Sequence, residues 1–347
     1  MKRTRELSLE NQIKQKVNAK PKKVKKVKHE LMISTGSTLL DLAISGGRQR
    51  GGGIPGGVMV VAYGPSGSGK TVLACEVAGA IQRGGGELKY RDSEARLDKA
   101  FSQIFGLDYE DIDLERPDVI PETFKPLFKW DVEDKNVING YIVDSLAALS
   151  TNLEMDNDDG DKMGMRRAKE FSEALRKGAR VLPAKNVILF CTNQIREKTD
   201  AQKFERKDIN PGGKAIEFYS SLILRFANSK KLIKEVKVKG KNVKRCIGIE
   251  ASVEVVKSSI WKPFHSAPLI IYFDYGIDDI RANLQYYKTF TGSSKYFAGN
   301  VELKVSLEES IAMVESEDLE NKLKGAVTDL WEVIEDKFEV ERKIKER

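Results

Sequence analysis

The run VMVVAYGPSGSGKT (Val58 to Thr71) passes from an apolar segment straight into a glycine-rich turn. An apolar run without polar alternation marks a strand covered on both faces. The turn that follows, Gly64, Pro65, Ser66, Gly67, Ser68, Gly69, Lys70 and Thr71, matches G-x-x-x-x-G-K-[ST], and helical periodicity from Lys70 to Arg83 supplies the helix that this motif needs. The spacing has a chemical reason. Glycines let backbone N–H groups converge on phosphate oxygens, and the helix N-terminus adds a favourable dipole. Lys70 then reaches the β- and γ-phosphates of a nucleotide, and the Thr71 hydroxyl ligates Mg²⁺.

Outward from this turn, short β-rich runs alternate with helical patterns. The strands are expected at ELKYRD (Glu87 to Asp92), YIVDS (Tyr141 to Ser145), NVILFC (Asn186 to Cys191) and SLILRF (Ser221 to Phe226). The helices are expected at Leu97 to Phe105, Thr123 to Val132 and Met165 to Val181. Such alternation implies a parallel sheet with helices on both faces. Beyond Phe226 the pattern turns strand-rich, at Gly248 to Val256 and Leu269 to Phe273, so antiparallel strands should extend one edge of the sheet. Two acidic amphipathic helices follow, Leu307 to Val314 and Leu319 to Phe338, with Leu323, Leu330, Val333 and Ile334 as the apolar face.

A phosphate-binding turn still needs an acid to hold the metal and a group to activate water. Asp144 ends the apolar strand YIVDS, where it meets the metal shell at the carboxyl edge of the sheet. For the base, Glu94 and Asp92 compete within YRDSEARLD at the same edge. Gln194, in FCTNQIR, is placed to touch a γ-phosphate and pass its state into the loop that follows, with Asn193 as the alternative.

The 347 residues, 40% hydrophobic and 32% charged, describe a globular chain large enough for one α/β domain with appendages. No apolar run approaches the roughly 18 residues of a membrane span, and the first residues lack the apolar core of a secretory signal. A cytoplasmic protein without a membrane partner is expected. Three widely spaced cysteines beside two histidines fit reduced thiols, not a zinc cluster. Net charge is +7, yet residues 1–30 alone carry eleven Lys/Arg against three acids, which leaves −1 for the remainder. Within that arm, KPKKVKKVKHE (Lys20 to Glu30) suits polyphosphate or a neighbouring chain. A second basic stretch, Ser229 to Cys246, reads as an exposed hairpin turning at Gly240. The segment Glu302 to Asp336 reverses the sign, with eleven acids against three lysines.

Taken together, ISTGS (Ile33 to Ser37), the GPSGSGKT turn, the Glu94 segment, YIVDSLAAL (Tyr141 to Leu149), NQIR (Asn193 to Arg196) and PGGKAIEFY (Pro211 to Tyr219) resemble the RecA family of recombinases, from about Ile33 to Phe273. The resemblance implies an α/β fold: a P-loop RecA-like core with a mostly parallel central sheet extended by antiparallel strands, a basic N-terminal arm and a small helical C-terminal domain. The expected divisions are 1–33, 34–275 and 276–347. By the same resemblance ATP and Mg²⁺ are the cofactors, Glu94 is the catalytic base beside Lys70, Gln194 is the nucleotide sensor, and Asp98 and Phe101 contact adenine.

Two loops of the family bind DNA and both have counterparts. The first, Glu154 to Lys169, is acidic apart from its basic end, so Arg166 and Arg167 are expected to carry its phosphate contacts. The second, Arg196 to Gly213, interleaves Arg196, Lys198, Lys203, Arg206 and Lys207 with Phe204 and closes on Gly212 and Gly213. Family members reach a neighbour's ATP with two lysines; this chain keeps Lys257 but has Ser259 at the second position, with Lys262 nearby. Glu217 also replaces a lysine found before the aromatic residue in many relatives. These departures and the insertion RQRGGGI (Arg48 to Ile54) suggest a divergent, phage-type branch.

The resemblance implies a DNA-stimulated ATPase that assembles into helical filaments on single-stranded DNA and exchanges it with homologous duplex DNA, aided by single-strand-binding or mediator proteins. The alternatives are a DNA motor or helicase of the same fold, and a nucleotide-gated structural or mediator protein with little ATPase activity.

Overall fold

The computed structural model describes residues 31–46, 52–151, 163–197, 208–209, 214–227 and 229–340, with backbone alone at 163–165, 196–197, 208–209 and 214. The basic arm of residues 1–30 and the greater part of the Arg48 to Ile54 insertion lie outside these residues. The described chain falls into two compact units, one of residues 30–46 and 52–278 and one from Asp279 onward.

The first unit opens with a small antiparallel pair, β1 (Met32–Ile33) and β2 (Ile54–Pro55). Between them lies helix α1 (Thr38–Ser45), every residue of which is buried. Ser37 caps it by accepting from the Leu40 N–H. The buried Asp41 carboxylate accepts from the Thr35 N–H at 2.8 Å, the Thr35 hydroxyl at 2.6 Å and the Ser34 hydroxyl at 2.5 Å. The ISTGS motif thus folds back onto its own helix, and those bonds offset the desolvation of the carboxylate.

A ten-stranded sheet follows. Its parallel strands are β3 (Met59–Gly64), β4 (Leu88–Asp92), β5 (Asp113–Glu115), β6 (Asn139–Asp144), β7 (Val187–Gln194) and β10 (Leu222–Phe226), in the spatial order β10-β3-β7-β6-β4-β5. Beyond β10, the antiparallel strands β12 (Lys241–Ser258), β13 (Ser266–Tyr272) and β14 (Gly276–Ile277) extend the edge, and β11 (Lys230–Val238) pairs with β12. The hairpin of β11 and β12 turns at Lys239 and Gly240, with Gly240 at φ +80°. A separate pair, β8 (Arg196–Glu197) and β9 (Asp208–Ile209), leaves the end of β7.

One face of the sheet, through Met59, Val61, Tyr141, Val143, Leu189 and Cys191, packs on α4 (Ile120–Lys129), α5 (Met163–Lys185) and α6 (Lys214–Tyr219) in a single buried cluster. The other face receives α2 (Lys70–Arg83), whose Ile81 lies against Gly140. Helix α3 (Lys99–Ile104) starts later than the periodicity predicts because Asp98 caps it, accepting from the Phe101 N–H at 2.8 Å. Helix α4 starts earlier, at Ile120, because Pro121 is pre-set for a first helical turn.

The second unit holds α7 (Asp279–Thr291), the hairpin β15 (Phe297–Ala298) and β16 (Val301–Glu302), α8 (Leu307–Ser316) and α9 (Glu320–Asp336). Leu323, Leu330 and Val333 of the predicted apolar face are buried, and Ile334 is partly so. Helices α1 and α7 were not expected from periodicity. No helix among the described residues is long and apolar enough to cross a membrane.

Candidate functional site: a phosphate-binding cleft at the carboxyl edge of the sheet

Parallel register brings the chemistry together. Gly64 stands beside Gln194 at the ends of β3 and β7, and Asp92 beside Asp144 at the ends of β4 and β6. Four strands therefore release their loops on one edge, where parallel α/β sheets hold ligands. There a cleft of about 210 Å³ is lined by Ser66, Gly67, Ser68, Gly69, Lys70 and Thr71 on one side and by Glu94, Asp144 and Gln194 on the other.

Gly67 and Gly69 adopt φ +70° and +98°, conformations that side-chain-bearing residues rarely take. Gly69 is also tightly placed, since a Cβ there would lie 2.4 Å from the Ile271 side chain. Gly64 and Pro65 lie beneath the turn, and their carbonyls accept from the Lys70 ammonium at 3.0 and 2.6 Å. Lys70 is only 8% exposed. Burial pushes its pKa below the ordinary lysine value, while Asp144 and Glu94 oppose that shift. A buried ammonium resting on neutral carbonyls fits a site for an anion.

Asp144 is 2% exposed. It accepts a hydrogen bond from the Thr192 hydroxyl, Tyr90 lies 3.4 Å from its other oxygen, and Thr71 lines the same cleft. Burial pushes its carboxyl pKa up, the threonine hydroxyls oppose this, and the neighbouring Glu94 and Asp92 add to it. The Thr71 hydroxyl and the Asp144 carboxylate, both lining the cleft, form a hard oxygen pair that fits Mg²⁺.

The two rivals for the base are separated by geometry. Asp92 is 1% exposed and turns its Oδ2 to the Leu97 N–H at 2.9 Å, so it shapes the loop and does not line the cleft. Glu94 does line it, with Oε1 accepting from Ser145 Oγ at 2.6 Å and Gln194 Nε2 at 3.1 Å. Its Oε2 lies 2.6 Å from the Arg96 guanidinium. Asn193, the alternative sensor, is 1% exposed and accepts from the Gln194 N–H at 3.1 Å, leaving Gln194 at the cleft.

The remaining predicted residues stand elsewhere. Asp98 is the cap of α3 and Phe101 packs edge-on against Phe105 at 4.9 Å; neither lines the cleft. Lys257 donates to the Glu217 and Phe218 carbonyls at 2.6 and 3.1 Å, closing the C-terminal end of α6, and Ser259 donates to the Ser221 carbonyl at 3.0 Å. Of the arginine pair on α5, Arg166 is exposed beside Glu170. Arg167 donates instead to the Leu146 and Ala147 carbonyls at 3.2 and 2.8 Å and covers the Phe171 ring. Arg196 lies in β8, while Lys198, Lys203, Phe204, Arg206, Lys207, Gly212 and Gly213 fall outside the described residues.

Sequence reasoning missed Arg96, Ser145, Thr192 and the apolar wall of Ile249, Ile271 and Phe273. The wall comes from β12, β13 and the residue after it, which no local motif connects to the glycine turn. The one signal for Arg96 was a basic residue inside the short segment between Glu94 and Asp98.

Strand, glycine turn and helix, with an acid at the end of β6, the next strand but one, define a P-loop nucleotide-binding protein. A family model described as the RecA N-terminal domain matches residues 10–278, and the chain belongs to the RecA family. It is 31% identical over 252 residues to Protein RecA of Thermus thermophilus, covering 72% of this chain and 69% of that protein. It is 30% identical over 304 residues to Protein RecA of Borrelia hermsii, covering 85% and 82%.

Proposed function

We propose that the chain is an ATP-dependent recombinase that assembles on single-stranded DNA in the cytoplasm and exchanges it with a homologous duplex, hydrolysing ATP as DNA stimulates it. The observation that carries this is the position of Gln194. It hydrogen-bonds Glu94 at 3.1 Å and ends β7 two residues before β8, one side of the ribbon from which the second candidate DNA loop springs. Contact between Gln194 and a γ-phosphate would therefore alter both the base and the loop.

The roles follow from the side chains. The P-loop amides and Lys70 bind phosphate, Lys70 exchanging its two carbonyl partners for phosphate oxygens. Thr71 and Asp144 would hold Mg²⁺, which when bound neutralises phosphate charge. Glu94, steadied by Ser145 and Gln194, accepts the proton of the attacking water. Ile249, Ile271 and Phe273 offer the base and ribose an apolar wall. Single-strand-binding or mediator proteins are proposed as helpers and filament formation as the assembly.

A second function, nucleotide-gated binding with little turnover, is favoured by Ser259, whose hydroxyl is occupied by a backbone carbonyl. ATP turnover with Mg²⁺, with and without mixed-sequence single-stranded DNA, separates the two. Stimulation by DNA is expected of the recombinase; filaments with negligible turnover would establish the gated binder.

A further inference from the structure

Arg96 lines the phosphate cleft, yet the chemistry outlined above gives it nothing to do. It sits in the tight segment after β4, where Ala95 takes φ +52° and the Ala95 N–H donates to the Asp92 carbonyl at 3.2 Å. With Leu97 N–H bound to Asp92 Oδ2, the loop is pinned on both sides of Arg96. That conformation turns residues 94 and 96 toward one another, so the guanidinium meets Glu94 Oε2 at 2.6 Å.

The two partners are held very differently. Glu94 is 12% exposed and its other oxygen is bound by both Ser145 and Gln194, so the carboxylate is fixed. Arg96 is 52% exposed, and among the described residues Glu94 is its one ion-pair partner. An ion pair with one member open to solvent is weak and exchanges at little cost. Arg96 also stands close enough to Lys70 to be felt as a second positive charge. Two cations thus face one cleft, and only Lys70 is built into the phosphate-binding turn.

We propose that Arg96 is a latch sensitive to the γ-phosphate: it pairs with Glu94 when no triphosphate is present and moves to the γ-phosphate when ATP binds, releasing Oε2 of Glu94. A guanidinium presents a planar fork of donors that suits a phosphate group better than the single carboxylate oxygen it contacts here. ADP ends one phosphate short and leaves the latch on Glu94. Arg96 thus contacts the γ-phosphate itself and, by leaving Glu94, also acts on the base from within the same chain. The inference rests on the nucleotide-binding function proposed above and adds to it a means of telling ATP from ADP.

The test is equilibrium binding of ADP and of a non-hydrolysable β,γ-imido ATP analogue, each with Mg²⁺, to the full chain and to Arg96→Ala and Arg96→Lys. The expected result for Arg96→Ala is a loss of analogue affinity of about tenfold or more, the size of a charge-assisted hydrogen bond, with ADP affinity within about twofold of the parent. Arg96→Lys, which keeps the charge without the fork, should recover part of the loss. Parallel changes for both nucleotides, or no change for either, would overturn the latch alone. A parent chain that binds neither nucleotide would overturn the nucleotide-binding function itself.

Discussion

Glu94 shows how one side chain acquires several constraints that no single motif contains. Ser145 and Gln194 fix one oxygen and Arg96 holds the other, so the carboxylate is aimed before any ligand arrives. Glu94→Gln keeps the shape and, through its amide oxygen, the bonds from Ser145 and Gln194, but its amide NH₂ cannot accept from Arg96 and it cannot take a proton. Turnover should fall by about 10²-fold or more, the usual contribution of a general base, while ATP-dependent DNA binding persists in a filter or anisotropy assay. Loss of both together would refute this division of roles. Gly69 carries a different constraint. In Gly69→Ala the new methyl group meets Ile271 and the residue is held at φ +98°, at a cost of about 1–2 kcal/mol for the backbone alone. Calorimetric titration should show nucleotide affinity at least about tenfold weaker; parent-like affinity would mean that the turn relaxes freely.

Among the elements, α5 connects the first candidate DNA loop to the sheet. Its Phe171 is 1% exposed and packs edge-on against Phe124 of α4 at 6.5 Å, beneath the Arg167 guanidinium. Truncating it in Phe171→Ala should cost about 3–5 kcal/mol, seen as a lower denaturant midpoint, because removing a buried ring from this cluster leaves a cavity. A loss below about 1 kcal/mol would show that α5 is anchored elsewhere. Elements also explain where periodicity misled. Helix α1 is buried on every face, its polar stripe of Thr38, Asp41 and Ser45 included, and its eight residues are too short a window for a helical period to stand out. Asp98 is an intrinsic stop that shortens the helix predicted from Leu97, and this capping is a structural use for a residue expected to touch adenine.

For the whole molecule, the uneven charge argues against a surface that coats DNA uniformly, since the basic surplus belongs to residues 1–30 and the segment Glu302 to Asp336 is strongly acidic. Binding should instead depend on a few defined cations. Replacing Arg206 and Lys207 together by alanine should flatten the dependence of log affinity on log salt by about 1.4 for single-stranded DNA, two contacts at about 0.7 each. An unchanged slope would place the DNA on another surface.

The glycine turn, the alternation of the main core strands with helices, and the acids at strand ends are legible from the chain, because each is local: a motif of eight residues, a period of two or 3.6, a residue next to an apolar run. That logic places Glu94, Asp144 and Gln194 on one edge of the sheet. The family resemblance favours Glu94 over Asp92, but the reason that Glu94 faces the cleft is three-dimensional: Asp92 ends β4 and turns its carboxylate to the Leu97 N–H, while Glu94, two residues on, lines the cleft. The Arg96 pairing and the wall of Ile249, Ile271 and Phe273 were likewise decided by tertiary structure. They depend on a loop conformation and on antiparallel strands that reach the glycine turn from some two hundred residues away. Proximity of that kind is a product of the folded sheet, not of spacing along the chain.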